Sequence, residues 1–264
     1  MRESKQKILV TGANGQLGRT LQQKAKTQQE YQWFFFNKTE LDITKEAEVE
    51  TIIKRIRPQF CINTAAYTEV FKAEKEKEKT RRINVTAVAH LAQVCSQHNT
   101  RLIHLSTDYV FDGTQETPYT EEDPTNPINE YGRTKALGEQ EVLKLNDKHY
   151  VVRTAWLYAK THGHNFYRSI LEKAKAEKPI KVVNDQRGTP TSTEHLSDYL
   201  IQLIQTTPEP GIYHCVGEKI QSRYAFAADI LNEHGLNVPL EEMLSPERGV
   251  KRPKYSALKS TKPL

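Results

Sequence analysis

The tightest constraint on this chain comes near its start, where the apolar run "KILVT" (7–11) passes straight into "GANGQLG" and then into a helix-compatible stretch. Gly12, Gly15 and Gly18 recur at three-residue intervals. A strand, a glycine turn and a helix in that order let the backbone turn tightly and bring its N–H groups to an anion at the helix N-terminus. A glycine-rich loop alone is commonplace. The strand before it and the helix after it make a dinucleotide-binding turn the stronger reading. The Gly-x-x-Gly-x-x-Gly spacing differs from the Gly-x-Gly-x-x-Gly of most dehydrogenases.

The rest of the chain extends this alternation. Short apolar runs at 7–11, 33–36, 60–63, 102–106, 150–154 and 180–184 alternate with helix-compatible segments at about 16–28, 45–56, 80–98, 130–144, 165–177 and 193–205. The runs read as buried strands, so the expected fold class is α/β: a Rossmann-like doubly wound parallel sheet with helices on both faces. Ligands of such sheets sit beyond the carboxyl ends of the strands. After about residue 185 the rhythm breaks into "DQRGTPTST", "TTPEPG" and "SPERGVKRPKYS". The expected division is a dinucleotide-binding domain over 1–184, with parts of 185–264 interleaved, and a smaller C-terminal substrate-binding lobe drawn mainly from 185–264. The lysine-rich run "KAEKEKEKTRR" (72–82) reads as a solvated face.

Composition excludes several function classes. The 38 basic and 33 acidic residues leave a net charge of +5, too small and dispersed for a dedicated nucleic-acid binder. Cys61, Cys95 and Cys215 are odd in number and lack C-x-x-C spacing, which argues against a disulfide framework or a zinc site and for a reducing cytoplasm. No window approaches the ~18 apolar residues of a membrane span.

Residues at the strand ends are the candidate site. After the second run comes "NKTELDI". Asn37 and Lys38 stand where an acid would hold the ribose 2′-hydroxyl of NAD, so NADPH is the expected cofactor, with NADH second. Asp42 and Ile43 follow, placed to flank an adenine, and Thr44 reads otherwise as a helix cap. The third run ends in "NTAAYT", whose small Ala65 and Ala66 let a cofactor pass close to the backbone, and the fourth in "STDYVFDG". In "NEYGRTKALGEQ", Tyr131 and Lys135 lie four apart on a predicted helix. The bland reading is a surface aromatic over a lysine stem. The sharper reading is a general acid, because a nearby ammonium favours phenolate. Gly132 and Gly138 would let that helix pack closely.

Taken in order, "VTGANGQLG", "NTAAYT", "STDYVFDG", "YGRTKALGE", "RTAWLY", "DQRGTPT" and "KRPKYSAL" resemble the extended short-chain dehydrogenase/reductases and, within them, the dTDP-4-dehydrorhamnose reductase family, over about residues 7–262. The resemblance implies NAD(P)H-dependent reduction of the 4-keto group of dTDP-4-dehydro-L-rhamnose to dTDP-L-rhamnose. It implies Tyr131 as proton donor, Lys135 as the group that holds the nicotinamide ribose and lowers the tyrosine's pKa, and Thr107 as hydroxyl partner of the substrate carbonyl. It implies cofactor contacts from Gly12, Gly15, Gln16, Leu17, Gly18, Ala65, Ala66, Tyr67 and Thr68. Thr107, Asp108 and Trp156 would border the sugar nucleotide, Trp156 as a flat wall, and Arg252, with Arg248, Lys251 and Lys254, would neutralise its diphosphate. A homodimer is the expected assembly. Some family members bind Mg²⁺ through interface glutamates; no metal ligand is assigned in this sequence. Two departures stand out: "VFKAE" carries Phe71 where the family has an acid, and the family continues as helix beyond the segment in which this chain ends at Leu264. The competing readings are another nucleotide-sugar reductase or epimerase, and a non-catalytic subunit like the regulatory subunit of methionine adenosyltransferase. Retention of Thr107, Tyr131 and Lys135 favours the enzyme.

Overall fold

The computed structural model describes residues 5–145, 148–176 and 179–264. Its strands are β1 (Gln6–Thr11), β2 (Tyr31–Phe36), β3 (Phe60–Asn63), β4 (Arg101–Thr107), β5 (Tyr150–Thr154), β6 (Leu157–Tyr158), β7 (Ile180–Val183), β8 (Arg187–Gly188), β9 (Thr191–Ser192), β10 (Gly211–His214), β11 (Gln221–Ser222) and β12 (Leu240–Met243). Its helices are α1 (Gln16–Ala25), α2 (Glu46–Ile56), α3 (Val70–Ala73), α4 (Lys77–Arg81), α5 (Ala87–Gln97), α6 (Glu130–Leu143), α7 (Phe166–Ala174), α8 (Thr193–Thr206) and α9 (Arg223–Glu233). The expected helix at 165–177 runs past α7 into residues outside the described set.

Six strands form one parallel sheet in the order β2-β1-β3-β4-β5-β10. Alternation along β1 explains the two covered faces. Ile8 and Val10 point into a core completed by Leu17 and Leu21 of α1 and Leu196, Leu200 and Leu203 of α8. Leu9 points the other way, towards Val49 and Ile53 of α2, Val88 and Leu91 of α5 and Val142 of α6. From β1 the chain runs out to β2 and then returns to β3 on the opposite side of β1, so a crevice opens at the carboxyl ends of β1 and β3. This is the topological switch point where doubly wound sheets bind ligands.

Two expectations need correction. The run at 180–184 is not a strand of the main sheet: β7 pairs in parallel with β12 in a separate ladder. Its burial alternates, with Ile180 and Val182 covered and Lys181 exposed, as in a strand packed on one side only. The sixth place beside β5 goes to β10, whose short "GIYH" carries Gly and His rather than an apolar run. α7, β7, α9 and β12 share a smaller core around Tyr167, Ile180, Phe226 and Ile230, while α8 returns to the main sheet. The single helix expected over 80–98 is instead α4, a π-helical turn over Arg82–Thr86, and α5. That turn buries Asn84 beneath the loop after β3.

Candidate active site

The glycine turn is shaped by what a side chain would strike. Gly12 has φ +68, and a Cβ there would stand 2.7 Å from Thr64 Oγ1 and 2.8 Å from the Ala65 nitrogen. At Gly18 it would lie 2.6 Å from the Gly12 carbonyl oxygen. Gly15 caps α1 without offering a side chain, so the N–H groups opening that helix receive no side-chain acceptor. A loop this close to its neighbours at an uncapped helix N-terminus fits a dinucleotide pyrophosphate. Leu17 turns into the core, and Gln16 Oε1 accepts from Ala159 N–H at 3.1 Å and Asn165 Nδ2 at 2.7 Å. The Gln16 side chain therefore ties the turn to the loop after β6.

At the end of β2, Asn37 Oδ1 accepts from Thr39 N–H at 2.8 Å, closing a tight turn. The Glu40 carboxylate accepts from the Asn37 N–H at 2.9 Å. That places an acid beside the turn which the motif at Asn37 and Lys38 did not announce. Burial pulls the Asp42 pKa upward, but Thr44, whose N–H donates at 3.0 Å, together with Lys38 and Lys45, brings it below its usual value. Lys38 and Asp42 are thus neighbours, and Ile43 is buried.

After β3, Ala65 and Ala66 are half-exposed in the crevice, Tyr67 is buried and Thr68 is exposed. Asn84, unnoticed in the sequence, fixes this loop: its Oδ1 accepts from Tyr67 N–H at 2.8 Å and its Nδ2 donates to the Tyr67 carbonyl at 3.0 Å. π-Turns recur at functional sites, but their sequence signature is weak.

β4 delivers Thr107 and Asp108 to the centre of the sheet. Thr107 donates to Asp108 Oδ1 at 3.0 Å and accepts from Tyr109 N–H at 3.2 Å, starting a 3₁₀ turn over Asp108–Val110. α6 then lies hard against that turn: a Cβ at Gly132 would come within 2.0 Å of the Tyr109 carbonyl oxygen, and one at Gly138 within 2.3 Å of the Asn84 carbonyl oxygen. Asn129 caps α6 by accepting from Gly132 N–H at 2.8 Å. Such caps contribute ~1 kcal/mol. The result brings Tyr131 to Thr107, whose hydrogen bond favours phenolate, while burial, Asp108 and Tyr109 push the phenol's pKa above its ordinary value, burial most strongly.

Lys135 faces inward from the same helix. Its Nζ donates to the Leu105 carbonyl at 2.6 Å and stands 3.2 Å from His104 Nε2. Burial depresses its pKa to about 8, partly offset by Glu139 one turn on. Glu139 is already engaged by Arg153, at 2.7 Å through Nη2, and by the Ser106 hydroxyl. The Lys135 nitrogen thus bonds β4 rather than the phenol, and the groups that bear on the Tyr131 pKa are burial, Thr107, Asp108 and Tyr109.

On the other side of the cleft, Asp108 is buried and also accepts from the Ser256 hydroxyl. Burial raises its carboxyl pKa to about 6 against the opposing pull of Ser256, Arg223 and Thr107. Trp156 has φ +48, an uncommon conformation for a bulky residue. The Arg223 guanidinium lies 3.6 Å from the centre of its ring. A Cβ at Gly188 would stand 2.5 Å from Trp156 Cε2, so the indole is held between that backbone and Arg223. The flat wall expected of Trp156 is therefore a Trp156–Arg223 stack. Arg252 is half-buried near Tyr109 and Arg223, whereas Arg248, Lys251 and Lys254 are exposed. Arg223 escaped the sequence reading, yet it left a signal: it opens α9 just after the capping Ser222, where the helix dipole disfavours a cation. Among the described residues no group of three or more His, Cys, Asp or Glu is placed to hold a metal.

Thr107 and Tyr131 meet at the carboxyl end of β4, and the uncapped N-terminus of α1 follows β1 in the same sheet. The profile of the RmlD substrate binding domain matches residues 6–263. The chain belongs to the dTDP-4-dehydrorhamnose reductase family. A dTDP-4-dehydrorhamnose reductase from Aggregatibacter actinomycetemcomitans is 38% identical, over 97% of this chain and 91% of that protein. The crystal structure of the Bacillus anthracis dTDP-4-dehydrorhamnose reductase in complex with NADP superposes with a TM-score of 0.93 at 36% identity, covering 97% of this chain and 91% of that one. A dTDP-4-keto-6-deoxy-D-glucose reductase from Streptomyces niveus is 42% identical over 78% of this chain and 71% of its own length. Among the described residues no helix is long and apolar enough to cross a membrane.

Proposed function

We propose that this chain is an NADPH-dependent dTDP-4-dehydrorhamnose reductase, and that Thr107, Tyr131 and Lys135 carry the reaction. The observation that supports the assignment is the meeting of the Tyr131 hydroxyl with Thr107 at the carboxyl end of β4, with Lys135 one turn further along α6 bonded to the Leu105 carbonyl of the same strand. When bound, the cofactor supplies the hydride. As the carbonyl carbon of the sugar accepts it, charge develops on oxygen. Thr107 stabilises that oxygen, and the Tyr131 hydroxyl delivers the proton that completes the alcohol. The raised pKa of Tyr131 keeps the phenol protonated for this step. Lys135 holds the ribose, and Gly12, Gly15 and Gly18 admit the pyrophosphate. Asp108 and the Trp156–Arg223 stack border the sugar nucleotide, and Arg252 with Arg223 meets its negative charge. The three buried, unbridged cysteines support a cytoplasmic setting. Sedimentation would test the homodimer.

The deciding experiment supplies NADPH with enzymatically generated dTDP-4-dehydro-L-rhamnose and follows loss of the nicotinamide absorbance. Turnover with this substrate, exceeding that with the 4-keto sugar before epimerisation, supports the assignment. The Streptomyces niveus relative favours one second reading, reduction of a different 4-keto-6-deoxy sugar nucleotide, and a reversed preference would establish it.

A further inference from the structure

A polar chain crosses the buried sheet beneath the candidate site and ends on Lys135. Thr11 of β1, Asn63 of β3, His104 of β4 and Lys135 of α6 are 0%, 1%, 0% and 2% exposed. Thr11 Oγ1 donates to Asn63 Oδ1 at 2.6 Å, and the Ala65 N–H reaches the same oxygen at 3.3 Å. Backbone N–H only donates, so the amide atom it meets is oxygen and the Asn63 Nδ2 is left facing His104 Nδ1, 3.1 Å away. An amide NH₂ also only donates. Nδ1 therefore carries a lone pair, and the single proton of the neutral ring sits on Nε2. That N–H points at the Lys135 nitrogen, 3.2 Å off. An uncharged amine has a lone pair to receive it; an ammonium has none.

We propose that His104, held in its Nε2–H form by Asn63 and Thr11, is a positioning residue that stabilises the uncharged amine of Lys135 in the cofactor-free protein, so that cofactor binding draws a proton from solvent onto that amine. The inference rests on the reading that Lys135 serves the cofactor. The uncharged amine donates to the Leu105 carbonyl and accepts from His104, satisfying both neighbours. One N–H bond forms on Lys135 as one bond to hydrogen in the solvent or its buffer acid breaks, leaving the conjugate base in solution, with no change of oxidation state. The depressed pKa of Lys135 and the still lower basicity of His104, both driven chiefly by burial, agree with this. Other charges around Lys135 are committed elsewhere. Glu139 of α6 is paired with Arg153 of β5, Asp108 after β4 is bound by Thr107 and Ser256, and Asn84 of the π-helical turn donates to Thr134 while Arg82 of that turn is exposed.

Nitrogen-15 NMR of the imidazoles in cofactor-free protein at about pH 9 reads the tautomer directly, with the His104 signal assigned by its loss in His104→Gln. The expected result is a protonated Nε2 and a bare Nδ1; the opposite tautomer overturns the proposal. Calorimetry of NADPH binding at about pH 8.5, in buffers of differing ionisation heat, should show uptake of most of one proton. Asn63→Asp keeps the size of the side chain but can only accept, so it should invert the His104 tautomer and favour the ammonium. Proton uptake should then fall at least threefold. An inverted tautomer with undiminished uptake overturns the proposal. Wild-type protein that fails to bind NADPH would instead sink the cofactor reading and leave the tautomer result standing.

Discussion

The two walls of the cleft are built by different means. The proposed cofactor wall is made where two short motifs, after β1 and after β3, meet through their backbones: Gly12 at φ +68 under Thr64, Gly18 against the Gly12 carbonyl, and Ala65 and Ala66 in the crevice after β3. The proposed substrate wall is made by side chains paired over long stretches of the chain. Asp108 is bound by Ser256, Trp156 is covered by Arg223 and backed by Gly188, and Arg252 returns to Tyr109. A wall made of backbone close approaches tolerates almost no side-chain change. One made of long-range pairs can be retuned one residue at a time while the fold stands.

That contrast can be broken at Gly12. Gly12→Ala places a methyl against backbone in a left-handed turn, so NADPH affinity should drop by roughly 100-fold and stability by about 1–3 kcal/mol, read by calorimetry and urea unfolding. Near-normal binding would show that the turn yields more than its contacts suggest. Arg223→Ala attacks the other wall. Loss of a partly buried cation stacked on Trp156, worth roughly 1–2 kcal/mol, should raise the KM for the sugar nucleotide about tenfold and leave the NADPH Kd unchanged. Equal damage to both constants would mean that the walls are not separable.

The same division governed what could be read from the sequence. The glycine turn, the five strands through β5, the Tyr131–Lys135 spacing and the close packing of Gly132 and Gly138 are local features whose residue types answer local geometry. Asn84 and the partners of Asp108 were out of reach because each acts between segments distant in the chain, and Arg223 left only the faint signal of a cation opening a helix. The misplaced sixth strand has a similar cause. "IKVV" is more apolar than "GIYH", but a place beside β5 is decided by how the chain returns after α8, and the smaller core claims Ile180 and Val182.

Asp108 sharpens the comparison through pH. Its folded pKa, about 6, lies above the ordinary carboxylate value, so the folded protein holds the proton more tightly than the unfolded chain. The stabilising effect is therefore complete below about pH 4 and fades as pH rises through about 6. Relative to Asp108→Asn, the wild type should lose roughly 2–3 kcal/mol of unfolding free energy across that interval. A flat difference would show that burial does not hold the proton. The smallest effect is expected at Asn37→Asp, a several-fold shift of preference toward NADH, damped because the Glu40 carboxylate already stands beside the Asn37 N–H. No shift would mean that Asn37 does not read the 2′ position.

The central claim is that Tyr131 is the proton donor on a site whose cofactor wall is independent of it. Single-turnover reduction of dTDP-4-dehydro-L-rhamnose by Tyr131→Phe, run beside a titration of its NADPH affinity, tests that claim most directly. The account predicts a rate lowered by roughly 10²–10⁴-fold with the NADPH Kd essentially unchanged. A full rate with normally bound NADPH would contradict it and leave Tyr131 as packing against Tyr109.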